Sequence, residues 1–112
     1  NELKNCKLVI LESNHDEKML IANPNYSPQL KSRILSRHGH LSNMASAKVV
    51  CSLVGSKVKQ VVLAHLSPEN NTPELCYQTV CDYLEAMGVI PGVHIKIDVA
   101  PKQTLGTVFI LK

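Results

Sequence analysis

Val58-Lys-Gln-Val-Val-Leu-Ala-His65-Leu-Ser67-Pro-Glu-Asn70-Asn71 is the stretch on which the fold turns. A β-branched apolar run reads as a strand; it closes on a histidine and then on small hydrogen-bonding residues. In open α/β proteins ligands and metals gather just beyond the carboxyl ends of strands, where this order puts His65. Two further segments, Gly39-His40-Leu41-Ser42-Asn43 and Glu12-Ser13-Asn14-His15-Asp16, also follow helix ends or apolar runs. Three polar loops carrying imidazoles in one short chain point to a single shared site.

The rest of the chain reads as α/β. Lys7 to Leu11 is a continuous apolar run, as in a strand covered on both faces. Asn23-Pro24-Asn25 marks a turn in an otherwise polar loop. Ser27-Pro28 has the form of an N-cap followed by proline at the first helical position. The helix it opens runs to about His38, with Leu30, Ile34 and Leu35 inward and Lys31, Arg33 and Arg37 outward. Gly39 would close it in a left-handed cap. Ser42 caps a second helix running to Gly55, with Met44, Ala47, Cys51 and Val54 as its apolar stripe. Thr72-Pro73-Glu74 repeats the cap-proline-acid start and opens a helix to Met87, closed by Gly88. Its buried face is expected at Leu75, Cys76, Thr79, Val80, Tyr83, Leu84 and Met87. His94 to Val99 alternates as a half-buried strand, and Thr107 to Leu111 is a last apolar strand.

Composition narrows the function classes. The 112 residues are 45% hydrophobic and 19% charged, values of a globular domain. A formal charge of +3 permits a phosphate-bearing partner without demanding one. No apolar run approaches the ~18 residues of a membrane span, and the start lacks the pattern of a secretory signal. Without an initiator Met, Asn1 is expected to be a cut or processed end. Cys6, Cys51, Cys76 and Cys81 form no Cys-x-x-Cys pair. They read as buried free thiols of a cytoplasmic protein.

Each candidate residue has a plain structural role open to it as well. His65 can simply end a strand on a backbone hydrogen bond, and His40 can be a solvated turn residue beside a helix N-terminus that favours anions. His15 and Asp16 can belong to a polar surface turn. His38 suits a helix C-terminus, and His94 carries no functional expectation.

Taken together, the loops resemble the latter part of a metallo-β-lactamase-fold hydrolase of the WalJ/YycJ-like branch. The resemblance lies in Glu12-Ser-Asn-His-Asp16 with Met19-Leu20, in Tyr26-Ser-Pro-Gln-Leu-Lys31 with Arg33-Ile34, in Gly39-His-Leu-Ser-Asn43 and in Leu63-Ala-His-Leu-Ser-Pro-Glu-Asn-Asn71. It covers about Leu8 to Ala100. It implies the second half of a four-layer αββα sandwich with a two-metal site at one edge. The superfamily's His-x-His-x-Asp-His loop is absent, as is the bridging aspartate expected before Lys7. The resemblance therefore implies that residues 1–112 are the C-terminal part of the domain, and that a missing N-terminal half supplies most ligands.

What the resemblance implies for function is a binuclear hydrolase using two divalent ions, zinc or manganese. The expected activity is that of a phosphodiesterase, and specifically a 5′-to-3′ exonuclease on DNA. His65 matches a metal ligand. Glu12 and His40 match a carboxylate–imidazole pair that assists the leaving group, and His15 and Asp16 belong to the same catalytic segment. Asn43, Ser67, Asn70 and Asn71 would donate hydrogen bonds to phosphate oxygens, and Lys31, Arg33 and Arg37 would track the DNA backbone. Alone, the chain is expected to be catalytically silent and to self-associate through its unpaired sheet edge and apolar face. Two alternatives remain open: a relative of the superfamily cleaving a lactone, thioester or small phosphoester, and a non-catalytic binding or assembly module.

Overall fold

The computed structural model describes residues 2–36, 39–100 and 109–111. After a 3₁₀ turn at Glu2–Asn5, the elements are β1 (Leu8–Glu12), α1 (Glu17–Ala22), α2 (Pro28–Leu35) and α3 (Asn43–Leu53). They are followed by β2 (Gln60–Ala64), α4 (Pro73–Ala86), β3 (Lys96–Val99) and β4 (Phe109–Leu111). The α/β expectation holds. The described sheet has the order β3-β2-β1-β4, with β1, β2 and β3 parallel and β4 antiparallel to β1. Thr107 and Val108, included above in the last strand, lie outside the described residues, as do Arg37 and His38.

Alternation along the strands builds the core. Val9 and Leu11 of β1 and Val61 and Leu63 of β2 share one buried face. Against them pack Ala47, Val50 and Leu53 of α3 and Cys76, Val80 and Leu84 of α4 in one apolar cluster. The opposite face carries Leu8, Ile10 and Val62, each only partly buried. Among the described residues β1 is thus covered on one face, not on both. An apolar strand run reports hydrophobicity, not which layer supplies the cover.

The cap signals are read correctly wherever a side-chain oxygen meets the third amide beyond it. Ser27, Ser42 and Thr72 accept from the backbone N–H of Leu30, Ala45 and Leu75. Gly88, at φ 81°, follows the C-cap of α4, as expected. Five details differ. Residues 17–22, taken for loop, form α1, whose N-cap is Asp16 accepting from Met19 N–H; a six-residue helix is too short for periodicity to announce it. Helix α2 ends at Leu35. Gly39 is needed for close approach, because a Cβ there would stand 2.7 Å from the Arg33 carbonyl oxygen and closer still to that of Ile34. In α3 the buried face is Asn43, Ser46, Ala47, Val50 and Leu53, with Met44 exposed. Two polar residues hold the inward phase, so apolar spacing alone mis-phases the helix. No residue of α2 is buried, and Leu30 and Leu35 are exposed. On α4, Met87 is exposed and Cys81 is buried in its stead.

Candidate functional site

Parallel pairing of β1 with β2 sets Glu12 level with Ala64, so Glu12 and His65 leave adjacent strands side by side. Beyond that edge the ladder continues irregularly. Ser13 N–H donates to the Ala64 carbonyl (2.9 Å) and Ser67 N–H to the Asn14 carbonyl (2.6 Å). The Asn14 side-chain amide donates to the His65 carbonyl (3.0 Å). This bracket holds His65 at φ 59°, a left-handed conformation that costs a non-glycine residue strain and persists only where its surroundings enforce it.

The outcome is a carboxylate shared by two imidazoles. Glu12 Oε2 lies 2.7 Å from Nδ1 of His40 and 2.7 Å from Nδ1 of His65. Its other oxygen accepts from the Leu41 backbone N–H at 3.0 Å, which pins the His40 loop to the end of β1. The rings meet edge to face, with centroids 5.6 Å apart. An ionised carboxylate only accepts, so each Nδ1 is the donor in its pair and carries a proton. Glu12 is largely covered while both imidazoles stay partly exposed, so the pair is presented to solvent from a held base.

Glu12, His40 and His65 bring donor atoms within 4.8 Å of one another. Ligands bound to zinc at ordinary tetrahedral distances stand about 3.3 Å apart. At 2.7 Å the carboxylate shares protons with the imidazoles rather than an ion. Each imidazole is steadied at Nδ1 by a carboxylate, the way metal-binding histidines usually are.

The other expected site residues are placed differently. His15 is 1% exposed, its Nδ1 without a hydrogen-bond partner among the described residues. Burial lowers its pKa, against the opposing pull of Glu17. Its backbone carbonyl accepts from Asn43 N–H (2.8 Å), so it sits beside the Glu12 cluster and supports α3. Asp16 is spent on capping α1. Asn43 and Asn71 exchange reciprocal amide bonds of 2.9 and 2.8 Å in the buried interior, and neither amide is presented to the cleft. Ser67 Oγ accepts from the N–H groups of Glu69 and Asn70, and Asn70 Oδ1 accepts from the Asn23 amide. Ser67 and Asn70 do line the cleft beside His40 and His65, an open space of about 640 Å³. Lys31 Nζ donates to the Ile21 carbonyl (2.6 Å), whereas Arg33 borders the cleft.

Sequence reasoning missed two groups. Ser13, fully buried, donates to Asn43 Oδ1 (2.7 Å), pairs with Ser46 Oγ (2.9 Å) and accepts from the Cys76 thiol. That thiol, its pKa pushed up to about 11 by burial, is a structural group rather than a nucleophile. Tyr26, Leu30 and Ile34 also line the cleft. An exposed amphipathic helix just before the His40 loop was the available signal for them.

No family model matches this chain, and no solved structure matches it. It is similar to proteins named Exodeoxyribonuclease WalJ from two strains of Streptococcus pneumoniae, at 37% identity over 100 residues. It is also similar to one named Exodeoxyribonuclease YycJ from Bacillus anthracis, at 37% identity over 102 residues. These alignments take in 88% and 90% of this chain but 37% and 38% of the relatives, so the chain spans well under half their length.

Proposed function

We propose that this chain is the C-terminal part of a metallo-β-lactamase-fold nuclease, a binuclear metal-dependent phosphodiesterase that removes nucleotides from DNA in the 5′-to-3′ direction. The observation that carries the reading is the single carboxylate oxygen of Glu12 held 2.7 Å from Nδ1 of both His40 and His65 at the edge of an open cleft. The names of the relatives support the substrate class. Helices α3 and α4 pack on one sheet face and leave Leu8, Ile10 and Val62 partly exposed on the other, which suits half of a four-layer sandwich awaiting its second sheet. The remaining ligands, including the His-x-His-x-Asp-His loop, would come from that other half.

Two divalent ions, zinc or manganese, would supply charge neutralisation of the phosphate and a nucleophilic hydroxide at neutral pH. This chain's share is His65, which would offer Nε2 to one ion while Glu12 fixes its tautomer and ring plane. His40, held at Nδ1 by the same carboxylate, would in its doubly protonated form give its Nε2 proton to the departing 3′-oxygen or offset the charge growing on the phosphoryl oxygens. Ser67 and Asn70 stand in the cleft where phosphate oxygens would lie. His15 and Asp16 act through the loop they brace. Cys51, Cys76 and Cys81 form no disulfide, as suits a reducing cytoplasm, and no described helix is long and apolar enough to cross a membrane.

The test is a pair of variants in the complete protein. His65→Ala is expected to lose metal and turnover together. His40→Ala is expected to keep its metal and lose ~100-fold or more in turnover. Equal metal loss in both, or none in His65→Ala, would overturn the assignment.

A further inference from the structure

Helix α2 has apolar residues and no core to put them in. Leu30 and Ile34, four residues apart, share one side of the helix, yet nothing on α2 is buried. The helix is held from the side, by contact with α1 and by the Lys31 ammonium on the Ile21 carbonyl at 2.6 Å. Leu30 and Ile34 instead line the cleft that contains His40 and His65, together with Tyr26, Leu66 and Pro68. Apolar groups facing water in a concave site mark a surface that a ligand covers.

The cleft lining has two chemistries. His40, His65, Ser67 and Asn70 are polar. Tyr26, Leu30 and Ile34 are apolar and include an aromatic ring. Arg33 is the guanidinium among its lining residues, with Glu69 as the lining carboxylate. An occupant with a flat apolar part and an anionic part would meet both the apolar residues and Arg33. At about 640 Å³ the space lies within the roughly 300–1,000 Å³ of sites that enclose small ligands.

We propose that Tyr26, Leu30 and Ile34 form a seat for the base of the terminal nucleotide, with Arg33 on its phosphate, so that the protein engages DNA by an unpaired end. The inference rests on the nuclease reading and adds to it the form of the substrate. A base lies face-on to a side chain only when that face is no longer stacked on its neighbour, and a base inside a duplex must leave the stack first. Such stacking is tolerant of sequence, because every base has a π-face. The end is thus selected by being unstacked rather than by its identity.

The experiment uses the complete protein and a single-stranded oligonucleotide with phosphorothioate linkages, which binds without being consumed. It carries fluorescent 2-aminopurine at either its terminal or an interior position. Terminal 2-aminopurine should be quenched on binding and interior 2-aminopurine should not. Tyr26→Ala should abolish the quenching and weaken binding about tenfold, Tyr26→Phe should retain both, and an abasic terminal nucleotide should bind wild type no better than it binds Tyr26→Ala. Tyr26→Leu, apolar but not aromatic, should fail to quench, and its thermal melt confirms that the fold is intact. If Tyr26→Ala quenches, binds and cleaves DNA as wild type does, the base seat is wrong and the nuclease reading stands. A wild-type protein that neither binds nor cleaves any DNA end overturns the nuclease reading, and the base seat falls with it.

Discussion

Asn43→Ala separates a structural amide from a substrate-binding one. Asn43 is 1% exposed and its side chain makes three internal bonds. It accepts from Ser13 Oγ (2.7 Å) and Asn71 Nδ2 (2.8 Å), and donates to Asn71 Oδ1 (2.9 Å). Truncation leaves none of these partners wholly stranded. Ser13 keeps Ser46, and Asn71 keeps the carbonyls of Ser13 and Asn14 and the N–H of Thr72. The loss is therefore about 1 kcal/mol for each of the three bonds, plus up to ~1 kcal/mol for the space left behind, so ~3–4 kcal/mol in all. For the 112 residues melted by themselves that lowers Tm by roughly 12–16 °C. Circular dichroism melting reads it directly, with Asn43→Asp as a harsher companion that buries a charge against Asn71 Oδ1. A melting temperature within ~4 °C of wild type, together with weakened DNA binding, would refute the reasoning and return Asn43 to the role of a phosphate donor.

Three further outcomes follow from the same geometry. Glu12→Gln removes the acceptor that sets both histidine tautomers, and should weaken metal binding ~10–100-fold with the fold intact, as measured by metal content and melting. His15 has its folded pKa lowered by burial, so the unfolded chain binds the extra proton more readily. Stability should therefore fall as pH drops below the ordinary value near 6.5, by at most about 1.4 kcal/mol per pH unit, and His15→Gln should flatten that slope in urea titrations between neutral and mildly acidic pH. Gly39→Ala pushes a Cβ against the Arg33 and Ile34 carbonyls and must shift the loop that carries His40. Turnover should drop ~10-fold or more with little change in Tm, since reacting groups misplaced by about an ångström lose rate steeply.

Much of this protein was legible along the chain, where the cause is local. Ser27, Ser42 and Thr72 cap helices because a side-chain oxygen needs only its own next three residues to find an N–H. The strand ending at Ala64, and the clustering of polar loops after strands, are likewise written in apolar runs and their punctuation. Pairing is another matter. Only the parallel register that levels Glu12 with Ala64 makes one carboxylate oxygen serve both His40 and His65, residues 28 and 53 positions away. Nor does any local pattern distinguish an amide that faces a ligand from one that faces another amide. Asn43 and Asn71, far apart in sequence, are spent on each other because their loops leave neighbouring elements and close over a dry interior, where an unpaired amide is costly. The same holds in reverse for α2. Its spacing of Leu30 and Ile34 determines an apolar side, and tertiary packing alone decides that this side meets a cleft instead of a core.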